Sequence, residues 1–226
     1  MSESLFESLA LFGDLPDHDR QWLQGKLRRR SLRDGETVFC KGDTETTIYL
    51  IITGRVKICV TTPDGRESVI AILSPGDCFG ELAALDGEPR SADAVAMEDS
   101  AVWCLAGEDF SELLDRSPQF SRRLIAVLTR RLRDTDKQTT DLVFFDVFGR
   151  VARKLLQLAD SHGVNTPRGI EIPFRLTQQD LANLIGSTRE SVNKALRFYR
   201  ERGYISLRGI RVTIVSRSGL ERRSQP

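Results

Sequence analysis

Between about residues 31 and 105 the sequence is cut by a glycine turn every few residues, and this spacing limits what the first half can become. The apolar runs are Thr37-Val38-Phe39-Cys40, Ile48-Tyr49-Leu50-Ile51-Ile52, Arg55-Val56-Lys57-Ile58-Cys59-Val60, Val69-Ile70-Ala71-Ile72-Leu73 and Ala101-Val102-Trp103-Cys104-Leu105. Between them stand Asp34-Gly35, Lys41-Gly42-Asp43, Thr53-Gly54, Pro63-Asp64-Gly65 and Pro75-Gly76-Asp77. Runs this short and this rich in β-branched residues predict strands, and regular turns between them predict an antiparallel sandwich or barrel. Asp64-Gly65 suits a hairpin, because both residues tolerate the left-handed backbone of a tight turn. Ahead of the strands, Leu5, Leu9, Leu11, Trp22, Leu23 and Leu27 carry helical spacing, interrupted by Gly13 and Pro16.

The period changes at Pro118. Ile125, Leu128, Leu132, Thr135, Thr139 and Leu142 recur at intervals of 3, 4, 3, 4 and 3, a heptad seam on one long helix reaching about Phe145. Two copies of the chain could share that seam; a helix packed on its own β-domain is the alternative reading. Thr135 and Thr139 replace aliphatic residues at its middle, which suits an interface that a ligand adjusts. From Val147 a helix runs to Ala159, a Gly/Asn/Pro loop spans Gly163 to Gly169, and two short helices follow. The segment from Tyr204 to Val215 reads as two strands turning at Arg208-Gly209.

Overall charge is +1, but it is unevenly placed. Residues 147–226 hold 15 Lys+Arg against 6 Asp+Glu, a net of +9, and the preceding 146 residues carry a net of −8. A basic C-terminal part predicts an anionic partner for that part alone, provided a motif supports it. Cys40, Cys59, Cys78 and Cys104 are widely spaced in apolar stretches, a pattern of buried thiols rather than of metal ligands or a disulfide framework. The acidic first residues do not resemble a signal peptide, and no apolar run reaches the ~18 residues of a membrane span. The expectation is a soluble, cytoplasmic protein. No nucleophile–base pair or metal cluster is visible, so an enzyme is not expected.

The motif is supplied by residues 177–200. Thr177-Gln178-Gln179-Asp180 and Ser187-Thr188-Arg189-Glu190 are both helix starts, a hydroxyl followed three residues later by an acid. Leu181 to Ile185 makes a short amphipathic helix ended by Gly186, and the second helix buries Val192, Leu196 and Tyr199 on one face. Two short helices about a glycine turn, followed by a hairpin, predict a winged helix-turn-helix with its second helix in the major groove of DNA. Arg189, Ser191, Asn193, Lys194 and Arg197 fall on or near the opposite face. Arg189 can present a two-donor fork to guanine and Glu190 can accept from cytosine, although Glu190 also suits the N3 position of a capping box. A generic surface helix is the alternative.

In the first half, Phe79-Gly80-Glu81-Leu82-Ala83 begins a short helix just after a strand and turn, and Pro89-Arg90-Ser91-Ala92 follows. Exposed N–H groups at a helix start, with Arg90, suit a phosphate. Glu81 repels phosphate but can accept from a neighbouring sugar hydroxyl, so the segment reads as a ribose-phosphate site. Read from the residues alone, Glu81 and Arg90 suit a structural ion pair at least as well.

These stretches, together with Asp146-Val147-Phe148-Gly149-Arg150-Val151-Ala152 and Gly186-Ser187-Thr188-Arg189-Glu190-Ser191-Val192, resemble the CRP/FNR superfamily of bacterial regulators along nearly the whole chain. The resemblance implies an α+β chain: an antiparallel β-barrel of the jelly-roll, cyclic-nucleotide-binding type over 1–117, a dimerisation helix over 118–145, and a winged helix-turn-helix over 146–226. It implies that Glu81 binds the ribose 2′-hydroxyl, and that Arg90 and Ser91, with the backbone of Gly80, Glu81 and Leu82, hold a cyclic phosphate. Thr135, with Arg131 one turn before it and Asp136 after it, falls where cyclic-AMP-responsive members contact the base. Asp136 departs from the usual Ser or Asn, and Lys194 from a usual Arg. Thr177, Ser187, Thr188, Arg189, Glu190, Asn193 and Lys194 fall on the implied DNA-binding surface, facing a palindrome with TGTGA-like half-sites. The implied ligand is cyclic AMP, with cyclic GMP or cyclic di-GMP as alternatives, and no metal, haem or iron–sulfur cluster. The implied partners are double-stranded DNA, a second copy of the chain and RNA polymerase. A ligand-independent regulator, and a nucleotide-binding module acting on a protein partner, are the competing expectations.

Overall fold

The computed structural model describes residues 11–13 and 15–224, so the expected helical positions Leu5 and Leu9 lie outside it. The chain divides between Arg133 and Asp134 into two compact units. The first contains α1 (Asp17–Lys26), β1 (Arg28–Leu32), β2 (Thr37–Phe39), β3 (Ile48–Thr53), β4 (Val56–Thr61), β5 (Glu67–Leu73), β6 (Cys78–Phe79), α2 (Glu81–Asp86), β7 (Asp93–Ala96), β8 (Ser100–Leu105) and α3 (Gly107–Arg116). The long helix α4 (Pro118–Phe144) crosses the boundary.

The strands form two four-stranded antiparallel sheets, in the orders β1-β8-β3-β6 and β2-β7-β4-β5. Leu32, Tyr49, Ile51, Phe79 and Val102 of the first sheet meet Val38, Phe39, Val56, Leu73, Ala94 and Ala96 of the second. On the outer face of the first sheet, Ile48, Leu50, Cys78 and Leu105 pack under the helices against Leu23, Phe110, Leu113, Phe120 and Leu124. Successive strand residues point to opposite faces, so β3 must be apolar at every step to serve both layers, which is why its sequence does not alternate. No pairing among the described residues joins the two sheets. The expected barrel is therefore a jelly-roll-type sandwich, closed by side-chain packing rather than by a ring of hydrogen bonds.

The turn after β3 depends on a glycine. Gly54 has φ 82°, and a Cβ there would lie 2.1 Å from the Ser100 hydroxyl oxygen. That hydroxyl accepts from the Arg55 N–H at 3.1 Å and donates to the Glu98 carbonyl at 2.8 Å. The Asp64-Gly65 hairpin joins β4 to β5 as expected. All four cysteines are free thiols; Cys59 and Cys78 are buried and Cys104 is half-buried. Cys40, expected to be buried, is exposed, because it lies just past β2 in a turn where its N–H donates to Asp43.

The second unit contains α5 (Val147–His162), β9 (Val164–Thr166), β10 (Gly169–Glu171), α6 (Gln178–Ile185), α7 (Arg189–Glu201), β11 (Ile205–Arg208), β12 (Arg211–Ile214) and α8 (Arg217–Glu221). The stretch expected to be a loop from Gly163 to Gly169 carries β9 and the start of β10, which extend the expected wing into a sheet of order β11-β12-β10-β9. Along α4, Phe120 and Leu124 are buried, whereas Ile125, Leu132 and Leu142 of the heptad seam are exposed, Leu132 by 63%. Among the described residues no helix is long and apolar enough to cross a membrane.

Candidate functional site

The segment between β6 and β7 is built around a left-handed glycine. Gly80 caps α2 with φ 82° and ψ 5°. A Cβ there would fall 2.7 Å from Arg90 Nη1 and 2.9 Å from the Thr47 carbonyl oxygen, so only glycine lets the three groups close up. Arg90 is 3% exposed. Its Nη1 donates to the Gly80 carbonyl at 2.5 Å and its Nη2 to the Thr47 carbonyl at 2.7 Å. Its guanidinium lies 4.2 Å from the centre of the Phe39 ring. Burial pulls its pKa below the ordinary value, yet a guanidinium remains charged at neutral pH.

Glu81, also 3% exposed, does form an ion pair, but not with Arg90, the partner its sequence neighbourhood offers. Its Oε1 accepts from Arg131 Nη1 at 2.7 Å, and Arg131 also donates to the Cys78 carbonyl. Its Oε2 is buried without a hydrogen-bond partner among the described residues, and so is Arg90 Nε. An unmade hydrogen bond to a buried polar group costs about 1–3 kcal/mol, and more for a charged one. The segment thus holds a carboxylate acceptor short of a donor and a guanidinium donor short of an acceptor. A hydroxyl next to an anionic ester would complete both. The nearby Cys78 thiol is pushed up to about 12 by burial, so it stays a neutral thiol.

Of the residues expected here, the structure brings together Gly80, Glu81, Arg90 and Arg131. Leu82 is exposed on α2, and Ser91 is exposed beside Arg90. Thr135 and Asp136 belong to the second unit, where both are exposed on α4. Phe39 and Thr47 join the site with no sequence signal to announce them. Phe39 reads as ordinary core, and Thr47 acts through its carbonyl, which no side-chain pattern announces.

In the second unit, both helix starts are realised, one of them shifted. Thr177 caps α6 in a full capping box: its hydroxyl oxygen accepts the Asp180 N–H at 3.0 Å, and Asp180 accepts the Thr177 N–H at 3.0 Å. Gly186 ends α6 in the left-handed conformation. The cap of α7 is Thr188 rather than Ser187, its hydroxyl accepting the Ser191 N–H at 3.2 Å. Glu190 is consequently the second helical residue and not the third, so the expected reciprocal bond to the cap does not form and its carboxylate stands exposed. Val192, Ala195, Leu196 and Tyr199 are buried. Arg189, Glu190, Asn193, Lys194 and Arg197 form an exposed stripe, with Arg197 paired to Glu201 at 2.9 Å. Arginine and a carboxylate at the free start of a solvent-facing helix are suited to base edges, and lysine to phosphates.

Comparison with known proteins matches both regions. Residues 29–117 match the cyclic nucleotide-binding domain, and residues 149–223 match the Crp-like helix-turn-helix domain. The chain is 40% identical over 191 residues to the CRP-like cAMP-activated global transcriptional regulator of Mycobacterium tuberculosis, spanning 84% of this chain and 85% of that one. It is 34% identical over 197 residues to the cyclic AMP receptor protein of Thermus thermophilus, spanning 87% and 88%. Among solved structures, the c-di-GMP responsive global regulator CLP of Xanthomonas campestris superposes with a TM-score of 0.76 at 25% identity, over 88% of this chain and 99% of that one. A cyclic nucleotide-binding domain with a self-closed Gly80–Arg90 cassette, followed by a helix-turn-helix, places this chain in the CRP/FNR superfamily of transcription regulators.

Proposed function

We propose that the chain is a cytoplasmic, homodimeric transcription regulator whose grip on a palindromic, TGTGA-like operator is controlled by cyclic AMP, with RNA polymerase as a protein partner. The observation that carries this reading is the buried, unpartnered Oε2 of Glu81 in the same cassette as Arg90. The ribose 2′-hydroxyl supplies the missing donor to Glu81. Arg90, Ser91 and the backbone from Gly80 to Leu82 take the cyclic phosphate, and Thr135 and Asp136 contact the base. The functional divisions are a ligand domain over 1–117, a dimer helix over 118–145 and a DNA-binding domain over 146–226. The bare seam of Ile125, Leu132 and Leu142 supports pairing with a second copy, since apolar residues at heptad spacing gain from mutual burial.

On DNA, Arg189 reads guanine and Glu190 accepts from cytosine, a good two-pronged pair being worth about 1–3 kcal/mol of discrimination. Asn193 and Lys194 extend the same stripe, and Thr177, Ser187 and Thr188 lie at the helix starts that approach the backbone. A ligand shifts the dimer toward its DNA-competent form only by its difference in affinity for the two forms. Calorimetric titration of cyclic AMP, cyclic GMP and cyclic di-GMP into the wild type and Arg90→Ala tests the cassette; undiminished affinity in the variant overturns the assignment. A mobility shift on palindromic DNA, with and without nucleotide, tests the reader, and its loss in Arg189→Ala is expected. The likeness to CLP supports a second reading in which cyclic di-GMP is the effector, and the same titration separates the two.

A further inference from the structure

One buried hydroxyl ties α7 to the start of α5. Tyr199 lies on the face of α7 opposite the exposed stripe and has no solvent-accessible surface. Its hydroxyl donates to the Phe148 carbonyl at 2.7 Å. Phe148 is the second residue of α5, two past Asp146, whose carboxylate caps that helix by accepting the Gly149 N–H at 2.7 Å. The rings reinforce the tie. Phe148 stands edge-on to Phe198 at 5.3 Å and to Tyr199 at 6.3 Å, and Tyr199 stacks on Tyr204 at 6.3 Å. On the other side of the joint between α4 and α5, Phe145 lies against Gly149, where a Cβ would come within 3.0 Å of its ring, and under the Arg153 guanidinium at 4.5 Å. The short segment from Phe145 to Gly149 is therefore packed tightly, and α7 holds its far end.

The hydroxyl is not needed to satisfy the backbone. A carbonyl in the first turn of a helix has an intrahelical donor four residues on, and phenylalanine would supply the same ring. What the hydroxyl adds is a fixed distance and angle between α7 and the α4–α5 joint. Burial holds its pKa well above the ordinary phenol value, so it remains a donor at physiological pH. We infer that Tyr199 is a positioning residue, locking α7 to the α4–α5 joint through Phe148 so that a rearrangement of α4 reaches Arg189 and Glu190 undiminished. The inference rests on the DNA-reading role proposed for α7.

The test uses the full-length protein as wild type, Tyr199→Phe and Tyr204→Phe. Fluorescence anisotropy gives affinity for a palindromic operator with and without cyclic AMP, and for an unrelated duplex at the same salt. Tyr199→Phe should keep its far-UV dichroism, its nucleotide affinity and its affinity for unrelated DNA. Its nucleotide-induced gain in operator affinity should fall about fivefold, the scale of one lost hydrogen bond. Tyr204→Phe, which removes a neighbouring hydroxyl from the same aromatic group, should leave the gain unchanged. A gain in Tyr199→Phe within twofold of wild type overturns the inference, as does an equal loss of operator affinity with and without nucleotide. If the wild type shows no nucleotide-dependent operator binding, the functional reading itself falls, and Tyr199's role with it.

Discussion

Replacing Lys154 with methionine should stabilise the second unit, and should do so less as the pH rises. Lys154 lies on the apolar face of α5 among Val151, Leu155 and Leu158, and is 7% exposed. Its Nζ donates to Gln157 Oε1 at 2.8 Å and reaches no carboxylate within ion-pair distance among the described residues. Burial pushes the amine down from 10.5 to about 8, against the opposing pull of Asp141 and Asp134. The unfolded chain therefore binds a proton between about pH 8 and 10.5 that the folded chain releases, so stability rises with pH across that window. At ~1.4 kcal/mol per tenfold change, holding the charged lysine costs roughly 3 kcal/mol at pH 7 and about half that at pH 9.5. Methionine keeps the unbranched stem and removes the charge. Asp141 is not orphaned, because Arg153 holds it at 2.7 Å. The expected gain is about 2–3 kcal/mol at pH 7, after allowing for the lost bond to Gln157. Urea titrations followed by far-UV circular dichroism at pH 7 and pH 9.5 measure it. Tryptophan fluorescence would miss the effect, since Trp22 and Trp103 both lie in the first unit. A gain that is identical at the two pH values, or no gain at pH 7, refutes the reasoning.

Three further outcomes follow from the geometry. Gly80→Ala forces a side chain into a left-handed position already filled by Arg90 and Thr47, so calorimetric affinity for cyclic AMP should fall at least ~10-fold. Thr188→Ala removes the cap of α7 and should cost about 1 kcal/mol in denaturant unfolding, with weaker operator binding as the turn carrying Arg189 and Glu190 frays. Leu132→Glu places a charge in the proposed dimer seam, and analytical ultracentrifugation should show a shift from dimer to monomer with the far-UV spectrum retained.

Much of this was legible because the informative signals are local. Short strands with glycine turns, a seam of fixed period and a threonine cap before Asp180 each depend on residues a few positions apart. The failures involve either distance or brevity. The sequence offers Glu81 a partner in Arg90, nine residues on, whereas its partner is Arg131, brought back by α4 across fifty positions. β1 begins with Arg28-Arg29-Arg30, which shows no alternation, and it lies at the edge of its sheet, where among the described residues it pairs only with β8. β6 and β9 have two and three residues, too few to show a period. The cap of α7 is Thr188 and not Ser187, a choice the sequence leaves open because both hydroxyls are competent and only the backbone decides between them. Lys154 does leave a trace in the sequence: it falls three residues after Val151 and four before Leu158, a polar residue at an apolar phase.

The two-faced burial of β3 has a practical corollary for anyone redesigning this domain. In an ordinary amphipathic strand, slipping by one residue exposes the oily side, and water enforces the alignment. Here Ile48, Tyr49, Leu50 and Ile51 are interchangeable in polarity, so water cannot tell the two alignments apart. The alignment must be pinned at the strand's end, where Gly54 nests against Ser100. Aliphatic swaps along β3 should therefore be forgiving, whereas enlarging Gly54 or inserting a residue before it should scramble the sandwich.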